Sequence, residues 1–221
     1  VENYPEIYFQ QSASGESSTQ AEATIAAVSP IYYALNSGFD NIKIRKISLE
    51  ISSVEEKKNA SLDKIWIDRT EIKAGEELGL TIFLRKENGE VSSEKYPIKI
   101  PEGTSPGPLK ILVGDGISVA MHDTKLREAE FIPKNFDQVV RAINNLKNNN
   151  RIYVRLFREE PGAVIDGFGS ASLSPSLLAL YNSKKTKGDT IPIQYVVFME
   201  HELPRSESVI SGQKIIEVTI K

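Results

Sequence analysis

The chain has 221 residues and a net charge of −3, with 40% hydrophobic and 26% charged residues, which is the composition of an ordinary globular protein. Acidic and basic residues are interspersed, so the basic field that nucleic-acid binding requires is missing, and no apolar run approaches the roughly 18 residues of a membrane span. The absence of cysteine excludes disulfides, thiolate nucleophiles and cysteine-ligated zinc.

The N-terminal region, residues 1–38, is predicted to hold a strand-forming segment, a linker and a helix. Its "EIYFQ" favours extended structure and is expected to pair with a sheet edge, while "SASGESS" is a polar linker. Thr19 and Glu22 have the spacing of a capping box, and the apolar residues after them repeat at helical intervals. Pro30 is expected to kink or split this helix, and Gly38 to end it.

Residues 39–130 are predicted to form a β-sandwich domain, because the apolar residues change to a period of two. "IKIRKISLEISSV" is predicted as a long strand with a β-bulge at Arg45–Lys46. Asn88–Gly89 is a hairpin signal, and Pro97 indicates an edge strand or a bulge because it cannot donate to a ladder. Short strands at this spacing are typical of an immunoglobulin-like sandwich. The apolar rows of the clearest strands are Leu78, Leu80, Ile82 and Leu84; Tyr96, Ile98 and Ile100; and Leu109, Ile111 and Val113.

Residues 131–221 are predicted to form a smaller α+β lobe. Asn135 is placed to cap an amphipathic helix that runs to Leu146, and "RIYVRLFRE" then alternates as a strand. Ser174–Pro175 has the form of a helix start. "IPIQYVVFMEHEL" is apolar on both faces and is predicted as a central strand, and "KIIEVTI" as the last strand. The chain is thus predicted to be mainly β, α+β overall, with an N-terminal helical segment, an immunoglobulin-like β-sandwich and the α+β lobe.

His122 and His201 are the only histidines, and neither has the surroundings of a catalytic or metal site. His201 lies between two glutamates, but a strand would point it to the side of Tyr195 and away from both of them, so the three residues cannot share a metal. His122–Asp123 would need a serine at an elbow or an oxyanion site, and the serine-rich turn "GFGSASLS" is not G-x-S-x-G.

Two further short motifs are predicted to be structural. Asp68–Arg69 ends a strand, where an ion pair that holds the turn is favoured over a catalytic acid. Gly114–Gly116 ("GDG") does not have the form of a phosphate loop, because no lysine follows it and no helix is expected to start there. A calcium loop would need the ligand spacing of an EF-hand, which is missing, so a turn at the end of a strand is predicted. We therefore predict no catalytic, metal-binding or cofactor-binding residue, and a protein that is not an enzyme.

Four stretches of the chain, taken in order, carry a resemblance to a known family. They are "IWIDRTEIKAGEEL" (65–78), "IKIPEGTSPGPLKILVGDG" (98–116), "IPKNFDQVVRAINNLKNNNRIYVRLFREEPGAVIDG" (132–167) and "LSPSLLAL" (173–180). Together they resemble the region downstream of the peptidase domain in large bacterial proteins with a SpoIVB-type serine peptidase domain, familiar from acidobacterial and similar genomes. The resemblance spans residues 39–181 and implies an exported protein, periplasmic or extracellular, whose peptidase domain lies upstream and outside this chain. No catalytic residue is therefore carried over.

Three functions follow as hypotheses, in order of preference. The first is a non-catalytic, exported β-rich module that binds a protein partner or takes part in assembly. The second is a self-assembling extracellular structural subunit, in which "NYPEIYFQQ" adds as a strand to a neighbour's sheet edge and Tyr4, Ile7, Tyr8 and Phe9 contact the partner. The third is a hydrolase fragment. Because no signal peptide is visible and residue 1 is Val, we also expect a processed or trimmed chain.

Overall fold

The computed structural model describes residues 4–15, 18–39, 42–126, 133, 135–159, 162–165, 168–170, 176, 190–193 and 195–221. Within these residues the protein is mainly β with added helices, which confirms the α+β class. The helices are α1 (Thr19–Leu35), α2 (Gly116–Leu126) and α3 (Phe136–Asn144). The strands are β1 (Asn59–Ile67), β2 (Glu71–Ile72), β3 (Glu77–Lys86), β4 (Val91–Lys99), β5 (Gly107–Asp115), β6 (Ile152–Arg158), β7 (Gly162–Ile165), β8 (Phe168–Ser170), β9 (Thr190–Ile193), β10 (Val196–Glu202), β11 (Val209–Ser211) and β12 (Gln213–Ile220).

These strands form two larger sheets and one small sheet. The first sheet has the order β11-β1-β3-β4, and the second has the order β10-β6-β5-β12-β2. Each larger sheet contains one parallel pair, β1 with β11 and β12 with β2, among antiparallel neighbours. The small antiparallel sheet has the order β8-β7-β9. Strands from both sides of residue 130 therefore build each larger sheet.

One hydrophobic cluster takes side chains from both larger sheets, so the two sheets share a core. The apolar rows predicted from the period of two supply much of it, because alternate residues of a strand face the same side. Leu78, Leu80, Leu109 and Ile111 have no exposed surface. The buried members are Leu62, Ile67, Ile72, Leu78, Leu80, Ile82, Ile98, Ile100, Leu109, Ile111, Val113, Ile152, Val154, Leu156, Leu203, Ile210, Val218 and Ile220.

The hairpin predicted at Asn88–Gly89 joins β3 to β4. Gly89 has a φ of 86°, a left-handed conformation in which a side chain is strained, and the side chain of Asn88 accepts a hydrogen bond from the N–H of Glu90 at 3.0 Å. Pro97 lies in β4, which is the outermost strand of the first sheet in the described part of the chain. A proline is tolerated there because an edge strand has backbone positions that need no donor.

The long strand predicted over residues 42–54 does not form, so the prediction of alternating buried rows throughout residues 39–116 is wrong here. Ile47, Leu49 and Ile51 are 58%, 65% and 76% exposed. A period of two shows that a segment is suited to a strand, but a strand also needs a neighbouring edge and a face to bury. Neither is present for this segment among the described residues.

Helix α1 differs from its prediction at both of its sequence signals. It runs without a break through Pro30, although proline removes one backbone hydrogen bond. It begins one residue earlier than the predicted capping box, with Ser18 at the cap position. The hydroxyl of Ser18 donates to the carboxylate of Glu22 at 2.5 Å, so Glu22 reaches the cap residue rather than Thr19.

Strand β10 is an edge strand in the described part of the chain, where it pairs only with β6, so the prediction of a central strand is wrong. Its second apolar face is explained by packing, because Phe198 and Met199 lie against the shared core while Tyr195 lies against an aromatic cluster on the other side. Helix α3 confirms the predicted amphipathic helix, and Asn135 caps it by accepting the N–H of Gln138 at 3.0 Å. The helix predicted at Ser174–Pro175 lies outside the described residues.

Candidate functional site

The "GDG" turn is the start of α2, so the prediction that no helix begins there is wrong. Asp115 accepts the N–H of Ser118 at 2.7 Å, as an N-cap residue does, and its other oxygen accepts the N–H of Gly212 at 2.5 Å. A Cβ on Gly116 would lie 2.8 Å from the carbonyl oxygen of Asn148, so only glycine fits. This motif fixes the position of α2 against the second sheet.

Helix α2 brings His122 and Asp123 over the outer face of the second sheet, where they meet Arg155 of β6. The Arg155 side chain is 3% exposed; its Nη1 donates to Asp123 Oδ1 at 2.7 Å and its Nε to Glu200 Oε2 at 3.0 Å. Lys147 also bonds Glu200. We call these five residues, His122, Asp123, Lys147, Arg155 and Glu200, the Arg155 cluster.

The Nδ1 atom of His122 lies 3.1 Å from Arg155 Nη1. Arginine has only donors, so Nδ1 is the acceptor in this hydrogen bond. The ring packs edge-on against Phe157, with 4.6 Å between ring centroids, and lies 5.8 Å from Tyr195. The Arg155 hydrogen bond and the two aromatic contacts all help to hold His122 in place.

The charges of the Arg155 cluster balance, with Lys147 and Arg155 opposite Asp123 and Glu200. Burial opposes ionisation of Glu200, but hydrogen bonds from Lys147 and Arg155 outweigh it and lower the pKa of this carboxyl. Burial likewise opposes the charged form of Arg155, but its bonds to the two carboxylates raise its pKa. A general acid or base works best with a pKa near the operating pH, and these shifts move both groups away from it.

A β-bulge in β10 decides which residues reach this cluster. The register of β10 against β6 shifts between Val197 and Met199, so the faces of the strand exchange at that point. Tyr195 and Glu200 consequently lie on the same face, near His122, whereas the sequence predicted that they face opposite ways. His201 pairs in register with Val154 of β6, whose side chain is in the core. The side chain of His201 itself is exposed to solvent.

No group of three or more histidine, aspartate or glutamate side chains in the described part of the chain is arranged to hold a metal ion. Asp68 and Arg69 form the predicted ion pair at 3.4 Å, and Asp68 also accepts the N–H of Gly79 at 3.1 Å, which ties the end of β1 to β3. A depression of about 200 Å³ lies beside Lys110, which bonds Glu159. It is smaller than the roughly 300–1,000 Å³ of small-molecule sites.

The four predicted partner-binding residues lie along α3 of the same chain rather than at a sheet edge. Tyr4, Ile7 and Phe9 pack against the buried face of α3, and the ring of Tyr4 is 4.6 Å from that of Phe136. Tyr8 is 64% exposed. The strand-forming pattern of this segment did not reveal its contact with a helix.

Exposed large apolar side chains are concentrated between residues 25 and 54. Sequence reasoning missed this surface, because the same residues were assigned to a helix face and to a buried strand. The backbone of residues 46–54 makes no hydrogen bond to another described residue. We call residues 46–54 the exposed segment. The exposed side chains of the wider region are Ile25, Val28, Tyr32, Tyr33, Leu35, Ile47, Leu49, Ile51 and Val54.

Comparison of the chain with protein-family models, with curated proteins and with solved structures finds no match. No helix in the described part of the chain is long and apolar enough to cross a membrane.

Proposed function

We propose that this protein is a non-catalytic, β-rich module that binds a protein partner through the exposed segment. The observation that carries the proposal is the state of that segment: its apolar residues alternate as in a strand, yet its backbone pairs with no described strand and Ile51 is 76% exposed. Unpaired strand-forming backbone is completed when it adds to the edge of another sheet. The partner is therefore a protein that presents an open sheet edge with an apolar surface beside it.

A binding role, rather than a catalytic one, is also favoured by the chemistry of the Arg155 cluster. In the Arg155 cluster each carboxylate is paired with a cation, and the guanidinium is bonded on both sides. A hydrolase would need a base free to take a proton from a nucleophile or from water. The hydrolase alternative has no support from these contacts, and the cluster instead joins α2 to β6 and β10.

The resemblance to the region downstream of SpoIVB-type peptidase domains adds the setting of the proposal: an exported bacterial module, periplasmic or extracellular. The immunoglobulin-like form of the sandwich belongs to the same proposal. It is supported by two sheets that share one core, while the parallel pairs β1–β11 and β12–β2 depart from a purely antiparallel sandwich. Self-assembly by strand addition of the N-terminal segment has less support, because Tyr4, Ile7 and Phe9 contact α3 within the chain.

The test is a photo-crosslinking amino acid at position 49 of the full chain, expressed in the source cell. We expect one discrete protein adduct from position 49, and none from a control position such as Ile215, which is 52% exposed but lies in the paired strand β12. The purified adduct partner should then bind the I47S/L49S/I51S variant at least tenfold more weakly than the native chain.

The same triple variant supplies the contradicting result. Because the three side chains are exposed, their replacement should change the free energy of unfolding by less than about 0.5 kcal/mol each. A loss of several kcal/mol would show that the segment packs in the protein's own core, and the absence of any adduct from position 49 would equally reject the proposal.

A further inference from the structure

The N-terminal residues 4–15 lie against α3, the loop that follows it (residues 145–149) and Ala34 of α1, which together form a groove. We call this the α3 groove. Its apolar floor is a small cluster that is separate from the shared core of the two sheets. Tyr4, Ile7 and Phe9 pack on that floor, whose buried members are Ala34, Phe136, Val139, Val140 and Ile143.

Two asparagine side chains bind the backbone of the N-terminal segment, each with both halves of its carboxamide. Asn144 accepts the N–H of Tyr8 at 2.9 Å and donates to the carbonyl of Glu6 at 3.0 Å. Asn149 accepts the N–H of Ser12 at 2.9 Å and donates to the carbonyl of the same residue. A carboxamide has one donor group and one acceptor group, as a peptide unit has. These contacts are made to backbone atoms, so they do not depend on which side chains the bonded residues carry.

Recognition of this kind is typical of peptide-binding sites, in which backbone bonds give affinity and a few side-chain pockets give specificity. The N-terminal segment belongs to no strand and contributes nothing to the shared core. Its anchors alternate with exposed positions, since Glu6 and Tyr8 face away from the groove while Ile7 and Phe9 face it. The segment is thus held by hydrogen bonds and apolar anchors, and not by strand pairing.

We propose that the α3 groove is a peptide-binding site and that residues 4–15 are its exchangeable ligand. The ligand class is an extended peptide with apolar anchors at the spacing of Tyr4, Ile7 and Phe9. This site is separate from the exposed segment, and its function does not depend on the binding role proposed for that segment.

The experiment uses the full chain with a protease site inserted between Gly15 and Ser18 and cut after folding. The probe is a fluorescein-labelled synthetic peptide of residues 4–15, followed by anisotropy. In the uncut chain the tethered segment competes at an effective concentration on the order of millimolar. We therefore expect the labelled peptide to bind the cut chain saturably and at least tenfold more tightly than the uncut chain.

Matched variant peptides distinguish specific recognition by the groove from nonspecific binding. The I7S/F9S peptide should lose at least tenfold in affinity, because both anchors leave the apolar floor. The Y8S peptide should bind like the parent, because Tyr8 is 64% exposed. In the cut chain, N144L/N149L should weaken binding at least tenfold, while R141A, an exposed position on the same helix, should not.

Three results would overturn the proposal. The cut chain could lose its fold, measured by far-UV circular dichroism, which would make the segment an integral part of the structure. The labelled peptide could bind cut and uncut chains equally, which would place it elsewhere on the surface. The Y8S and I7S/F9S peptides could lose affinity equally, which would contradict the proposed orientation of the segment, with Ile7 and Phe9 facing the groove and Tyr8 facing away.

Discussion

The guanidinium of Arg155 lies on the outer face of the second sheet and is nevertheless 3% exposed, because α2 lies over it. The sequence predicted the strand and the alternation of its residues, which places Arg155 opposite the core-facing Val154 and Leu156. It did not predict burial of the charge, because the helix that covers it was not predicted. A buried cation is tolerated only when it is paired, and two carboxylates from distant parts of the chain supply the pairs.

The pKa of Glu200 leads to a prediction at this scale. Its folded-state pKa lies below the ordinary value of 4.5, so the ionised carboxylate stabilises the fold near neutral pH, and that contribution is lost as the pH falls through the lowered pKa. We expect E200Q to be less stable than the native chain by about 1–2 kcal/mol near neutral pH. The difference should shrink when urea unfolding is repeated well below the ordinary pKa.

The control for this prediction is E207Q, which removes a carboxylate whose side chain is 87% exposed. Its paired Lys58 lies 3.2 Å away, and a solvent-screened surface pair of this kind contributes little to stability, so E207Q should unfold much like the native chain. A stability difference for E200Q that stays constant over the whole pH range would contradict the assignment.

At the scale of helices and strands, the sequence predicted those elements for which neighbouring residues specify both the ends, through caps or turns, and the buried face, through the apolar pattern. Helix α3 has a capping asparagine and a one-faced apolar pattern, and the β3–β4 hairpin has Asn88–Gly89 between two apolar rows. Helix α2 was missed because "GDG" was taken as a turn. Asp115 and Ser118 have the spacing of a cap and its partner, and this signal could have revealed the helix.

The strand predicted over the exposed segment does not form, and the reason is different. Its sequence has the strand period, but whether a strand forms depends on an edge that lies elsewhere in the fold or in another molecule. The β10 bulge is a similar case, because the shift between Val197 and Met199 is set by pairing with β6 and changes which residues meet His122. Such outcomes are decided by tertiary neighbours and not by local sequence.

The hairpin gives a prediction at this scale. Gly89 has a φ of 86°, so G89A places a side chain in a strained conformation and should reduce the free energy of unfolding by about 1 kcal/mol. Gly103 has open space around its Cβ position and a φ outside the left-handed region, so G103A should change stability by less than about 0.5 kcal/mol. Urea unfolding measures both, and equal losses for the two variants would contradict the strain at Gly89.

At the scale of the whole molecule, the predicted division into residues 39–130 and 131–221 followed a change in the local pattern. The strands on either side of that boundary pair with one another, for example Asn59 with Val209 and Val113 with Val154. Pairings over such distances leave no local trace in a single sequence, so the classification as mainly β could be predicted while the strand order could not.

The shared core leads to a prediction about unfolding. Leu80 of β3 and Leu156 of β6 are both fully buried in it, so L80A and L156A should each lower the free energy of unfolding by about 2–5 kcal/mol. Both should shift one common transition in circular dichroism and in tryptophan fluorescence. L49A, at a position that is 65% exposed, should shift it by less than about 0.5 kcal/mol. Two separate transitions, each moved by only one buried variant, would show independent lobes.

The position of β12 between β5 and β2 has a consequence for synthesis on the ribosome. Strand β5 ends at Asp115 and its partner begins at Gln213, about 100 residues later, which corresponds to roughly 5–20 s of elongation. During that interval the backbone edge of β5 that later pairs with β12 has no partner. The core-facing side chains of Leu109, Ile111 and Val113 also lack their neighbours from β12. The second sheet therefore cannot close until β12 has been synthesised, and a holdase that shields this edge in the meantime would raise the yield of native protein.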